Sequence, residues 1–102
     1  MLKVKNMRSD RSGREVANQF IIYDETNCVT MFQSYDSPIV SIDRKNKVIT
    51  VYPDWDYSVT TGKYRNQFMD AMGFMDMANK KGFEYYLNLG AIGSYEVVTA
   101  SN

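Results

Sequence analysis

Pro53 divides the chain into two hydrophobic rhythms, and a fold must satisfy both to bury its apolar residues. Before it the period is two. Leu2 and Val4 alternate with Lys3 and Lys5, and Glu15 to Tyr23 sets Val16, Phe20 and Ile22 on one face against Ala17, Gln19, Ile21 and Tyr23 on the other. Cys28 to Tyr35, Ile39 to Ile42 and the β-branched run Val48 to Tyr52 continue the extended reading. Between them Arg8 to Gly13, Asp24 to Asn27, Asp36 to Pro38 and Asp43 to Lys47 carry turn chemistry. Pro53 has no amide proton to give a ladder and ends the last of these strands.

After Pro53 the period lengthens. Ser58, Thr60 and Thr61 are candidate N-caps, and Tyr64, Phe68, Ala71, Met72 and Met75 recur at helical spacing. Lys63, Arg65, Asn66 and Asp70 fall on other faces, and Gly73 ends or weakens the helix. A second helical stretch covers Met75 to Lys81 and closes at Gly82, with irregular chain through Phe83, Tyr86 and Leu87. Gly90 and Gly93 bracket a turn before a closing strand, Ser94 to Thr99. The predicted fold class is α+β: an antiparallel sheet of four to five strands with one or two helices inserted before the last strand.

With 102 residues, 44% of them hydrophobic, the chain is expected to form a single domain over residues 1–102. The residue types it lacks narrow its chemistry. It contains no histidine, so a Ser-His-Asp or Cys-His nucleophilic site is excluded and the commonest zinc ligand is missing. Cys28 is the single cysteine and cannot close an internal disulfide; it is read as a half-buried strand residue. Residues 90–93 (GAIG) match neither dinucleotide nor Walker phosphate loops. The chain is therefore read as non-enzymatic, with no cofactor and no metal. No apolar run approaches the roughly 20 residues of a membrane span, so no membrane contact and a cytoplasmic location are expected.

Charge sums to zero but is segregated. Residues 1–14 carry Lys3, Lys5, Arg8, Arg11 and Arg14 against Asp10, a net +4, and residues 15–43 carry five acids and no base, a net −5. Two readings follow. Neighbouring strands of opposite sign pair across the sheet, or residues 1–14 form a basic hairpin or arm whose residues 3–14 contact a phosphate or an acidic surface. An open edge strand would also allow a homodimer.

The densest chemical cluster is Tyr52 to Thr61 (YPDWDYSVTT), at the strand-to-helix junction. Trp55 and Tyr57 are read either as interface anchors or stacking platforms, or, for Trp55, as a core plug beside a capped helix. Asp54 and Asp56, two apart, could share a face and hold a hard cation or act as an acid and base pair. Lys63 and Arg65 follow closely enough to serve an anionic ligand. Tyr35 closes a second cluster, Met31 to Tyr35 (MFQSY), whose large groups on both faces predict a sheet partly covered on both sides. Among the methionines, helical spacing assigns Met72 and Met75 to the core and leaves Met69 and Met77 as candidates for exposed contact.

Glu15 to Phe20 (EVANQF), Phe32 to Tyr35 (FQSY) and Trp55 to Phe68 (WDYSVTTGKYRNQF) resemble a family of small uncharacterised proteins of phages, plasmids and conjugative elements, chiefly of Gram-positive bacteria. The resemblance implies no catalytic residues. It implies an accessory protein that binds and blocks a host protein, such as an anti-CRISPR or other inhibitor of host defence, or that sequesters a nucleotide. The binding residues expected are Trp55, Tyr57, Asp54, Asp56, Lys63, Arg65 and Tyr35, with a nucleotide or single-stranded nucleic acid as the alternative ligand.

Overall fold

A computed structural model of the protein describes residues 1–101. The period-two half folds as a meander of five strands: β1 (Leu2–Arg8), β2 (Glu15–Asp24), β3 (Val29–Ser34), β4 (Ser37–Asp43) and β5 (Val48–Val51). Each is antiparallel to the next. The chain then leaves the sheet through α1 (Val59–Ala71), a 3-10 turn at Met75–Met77 and α2 (Lys80–Leu89), and returns as β6 (Ala91–Ile92) and β7 (Tyr95–Thr99). Because this return is a helical crossover, β7 lies parallel to β5, from Val48 opposite Glu96 to Val51 opposite Thr99. The α+β class is as expected, whereas the antiparallel sheet of four to five strands is replaced by a mixed sheet of seven in the order β1-β2-β3-β4-β5-β7-β6. Two residues of β6 are too few for periodicity to register, and direction across a crossover leaves no local signal.

Two of the turns share one design. In Asp24 to Cys28 the Asp24 carboxylate accepts the Asn27 backbone N–H at 3.2 Å and the Asn27 side-chain amide at 2.8 Å. Asp43 does the same with Asn46, at 2.9 Å for both bonds. Those bonds hold both carboxyls below their ordinary range, the Asn27 side-chain amide leading at Asp24 and the Asn46 backbone at Asp43. Each turn ends in a residue of positive φ, Cys28 at 55° and Lys47 at 58°, before the next strand starts. Cys28 is thus an exposed turn residue and not the half-buried strand residue expected. The Asp and Asn side chains do the work that glycine does in shorter hairpins.

The core lies between one face of the sheet and the helices. Ile21, Phe32, Val40 and Val51 form one cross-strand row, and Thr30, Ile42, Ile49 and Val97 the next. A register shift after Phe32 lets both Ile39 and Val40 be buried. Phe68 of α1 stacks on Phe32 with ring centroids 5.8 Å apart. The residues that alternate with these, including Met31, Gln33 and Thr50, point to an opposite face that is half-buried, with Ser41 buried on it, so the sheet is partly covered on both sides, as expected.

The methionine assignment is reversed for three of the four: Met69 and Met77 are fully buried and Met75 is exposed, while Met72 is half-buried against the core as expected. The physical reason is phase: α1 ends at Ala71, Gly73 turns the chain at φ 92°, and Met75 no longer follows the helical stripe. Gly82 does not end a helix but lies in the first turn of α2, where the Asn79 side chain caps its N–H at 2.7 Å. A Cβ at Gly82 would meet the Asp76 carbonyl oxygen at 2.0 Å, so only glycine lets α2 approach the preceding turn. The terminating glycine is Gly90, in the left-handed region at φ 81°.

Candidate functional site

The junction between β5 and α1 is built from two short turns. The Trp55 N–H donates to the Tyr52 carbonyl at 3.1 Å and the Tyr57 N–H to the Asp54 carbonyl at 3.2 Å. Ser37 of β4 donates its hydroxyl proton to the Asp54 carboxylate at 2.8 Å, tying the loop to the sheet. Of the three candidate caps Ser58 is the one used: its Oγ accepts the Thr61 N–H at 3.1 Å and donates to the Thr61 hydroxyl, which in turn meets Ser34 Oγ of β3 at 2.9 Å. This chain of hydroxyls fixes the start of α1 against the sheet.

Arg65 is the centre of the site. Its side chain is 1% exposed, and its guanidinium lies 5.3 Å from the Trp55 ring and 5.0 Å from the Phe83 ring, which stack on each other at 5.1 Å. One terminal nitrogen donates to the Trp55 carbonyl at 2.8 Å and the other to Asn66 Oδ1 at 3.0 Å. The nearest carboxylate, Asp56, stands 3.6 Å away and is engaged more closely by Lys80, at 2.8 Å. Lys80's hydrogen bond, reinforced by the charges of Lys80 and Arg65, holds the Asp56 carboxyl below its ordinary range against a weaker opposing effect of burial. Burial pulls the Arg65 pKa down, with Asp56 opposing.

An open cleft of about 640 Å³ lies over this assembly, lined by Asp56, Ser58, Val59, Lys63, Arg65 and Lys80 among others. Three cations face one carboxylate there, and the first turn of α1 contains no acidic residue to offset its dipole. Val59, which lines the cleft, is 91% exposed, and Tyr57, next in sequence to two lining residues but not itself one of them, is 62% exposed.

Of the residues singled out in the sequence, Asp56, Lys63 and Arg65 meet at the cleft. Trp55 is half-buried and packs against Phe83, with its ring turned to Arg65 and the core. Tyr57 stays outside. Asp54 and Asp56 do not act together, since one bonds Ser37 and the other Lys80. Among the described residues no group of three or more Cys, Asp or Glu is placed to hold a metal ion. Tyr35 sits apart, exposed at the tip of the β3–β4 turn at φ 54°, an uncommon conformation for a bulky residue. Lys80, Phe83 and Val59 were missed. The first two come from α2, which the sequence placed out of register, and Val59 signals only as a β-branched residue beside the cap.

Comparison with curated proteins and with solved structures finds no match. No helix among the described residues is long and apolar enough to cross a membrane. A family of unknown function, DUF8033, matches residues 2–85, which takes in β1 to β5, the junction, α1 and the greater part of α2. The chain, with its junction cleft, belongs to that family.

Proposed function

We propose that this chain is a non-enzymatic binding module that takes an acidic partner protein at the start of α1. The observation that carries the reading is the exposure of Val59 in the cleft and of Tyr57 beside it in sequence, where three cations outnumber one carboxylate. Apolar anchors ringed by charge are what a specific protein contact uses, and the hydroxyl chain and the Trp55–Phe83 stack hold the rim in place before the partner arrives. In the setting the resemblance implies, that partner is a host protein blocked by the contact, as an anti-defence inhibitor blocks its target.

The test is capture by the tagged protein from bacterial lysate, with and without nuclease, repeated with Tyr57→Ala and Val59→Asp. A protein retained after nuclease, with its binding weakened by about 2 kcal/mol in each variant while the melting temperature is unchanged, is expected. A partner held equally well by both variants would sink this reading. The same cleft favours a second ligand class, a nucleotide or a single nucleic-acid strand, because Lys63, Arg65 and Lys80 adjoin a helix N-terminus and an exposed Tyr57 ring. That reading requires a rise in melting temperature with a nucleotide or an oligothymidine strand.

A further inference from the structure

The sheet has one long open edge. Its order leaves β1 on one side and the two-residue β6 on the other, so β1, with seven residues, carries most of the free backbone donors and acceptors. Among the described residues only β2 pairs with it, in unbroken register from Leu2 opposite Asp24 to Asn6 opposite Phe20. Its side chains sort cleanly by face. Leu2 and Val4, exposed at 65% and 63%, stand on the half-buried face, and Lys3 and Lys5 stand on the other.

The charge on this edge is only partly neutralised within the chain, with Glu25 on Lys3 and Glu15 opposite Arg8 in the ladder. Lys3 pairs with Glu25 at 2.8 Å, but Lys5 lies over the Tyr23 ring at 5.4 Å, and Arg8 donates to the Gly13 carbonyl at 2.9 Å; neither joins an ion pair among the described residues. Arg11 and Arg14 add to the positive end in the following loop. A second copy of β1 that overlaps this edge with Leu2 and Val4 of both copies on one face sets lysine beside lysine, and like charges across strands destabilise. That pairing is disfavoured against one with an acidic strand.

We propose that β1 is a docking edge for an extended acidic segment of another protein, added as an eighth strand, with Asp or Glu at alternate positions beside Lys3 and Lys5 and apolar residues between them beside Leu2 and Val4. Main-chain hydrogen bonds supply the attachment and the alternation supplies the choice of partner. This surface is separate from the cleft at α1 and stands whether or not that cleft binds anything.

The probe is a fluorescein-labelled peptide of alternating Glu and Val, titrated into the full chain and read by anisotropy and by backbone amide NMR shifts. Binding with shifts centred on Leu2–Arg8, weakened at least tenfold by Lys5→Glu and less by Lys5→Gln, is the expected result. Lys5→Glu leaves the Lys3–Glu25 pair in place, and the undisturbed NMR spectrum of the variant away from β1 reports that it is folded. No binding, equal binding of a Lys and Val peptide, shifts centred on Ser58–Lys63 instead, or displacement of the peptide by oligothymidine with shifts on the same strand would each overturn the proposal, the last reassigning the edge to nucleic acid.

Discussion

α1 turns Thr61, Tyr64, Arg65, Phe68 and Met69 into the protein, whereas α2 buries Phe83 alone and leans on the half-buried Tyr86 and Leu87. α1 is fixed by directional bonds, its Thr61 hydroxyl in the chain from Ser58 to Ser34 and its Arg65 on the Trp55 carbonyl. α2 is fixed by contact: Phe83 against Trp55, and Gly82 against the Asp76 carbonyl. Polar anchoring sets an element's rotation and depth, while apolar anchoring supplies most of the free energy. The helix that carries the candidate site is the one whose orientation is specified bond by bond.

Removing the single apolar anchor is the severest way to break the comparison. Phe83→Ala should cost about 3–5 kcal/mol in chemical denaturation, and amide exchange should rise across Lys80–Leu89 before it rises across α1. Arg65 comes next. Arg65→Ala leaves a void beside two rings and the Trp55 carbonyl without its donor, an expected loss of about 3 kcal/mol. Arg65→Met fills the space without the cost of burying a cation and should lie within about 1.5 kcal/mol of the parent. A Met variant as damaged as the Ala variant would show that the guanidinium's hydrogen bonds and charge, not its volume, hold α1.

The glycines sharpen the contrast in sign. Gly82→Ala should destabilise by about 2 kcal/mol because its Cβ meets backbone, which cannot yield as a side chain can. Gly62→Ala in α1 places its Cβ 3.8 Å from the Arg65 guanidinium, ordinary contact, and should stabilise by about 0.5–1 kcal/mol through helix propensity. Thermal melts of the two variants read this directly.

The smallest effect concerns the link between the site and α2. The Asp56 carboxyl is lowered from 3.8, so its contribution is present above that value and lost as the pH falls through the lower folded one. Lys80 is raised from 10.5 by the same partner, so its contribution holds below that value and is lost as the pH rises through the folded one. The melting-temperature gap between the parent and Lys80→Gln should therefore be widest between those limits, close at both extremes, and shrink in high salt.

What the sequence disclosed and what it hid divide along the same line. β1 to β5 could be placed because a strand announces itself through alternation and its turns through Asp and Asn. Ser58 was among the caps foreseen, and the junction was recognisable by its density of Trp, Tyr and Asp. Arg65, by contrast, falls off the apolar stripe in the sequence, because a buried cation beside two stacked rings contradicts the hydrophobic pattern on which helical readings rest. Met75 leaves the stripe because α1 ends at Ala71 and Gly73 turns the chain in the left-handed region, while Met69 lies on the buried face of α1 beside Arg65 and Phe68. Lys80 and Phe83 reach the site from α2 through folding alone, with no spacing to announce them.

The parallel pairing of β7 with β5 has a consequence for the order of assembly. The five-strand meander joins sequence neighbours, whereas Val48 and Glu96 meet from nearly half a chain apart. Loop closure of that length carries an entropy cost that hairpins largely escape, so the meander can zip while α1 and α2 are still free and β7 docks late. In a chain made from its N-terminus, β7 follows the meander and both helices, so the apolar rows of the meander are made before the strand that packs against α2 is available.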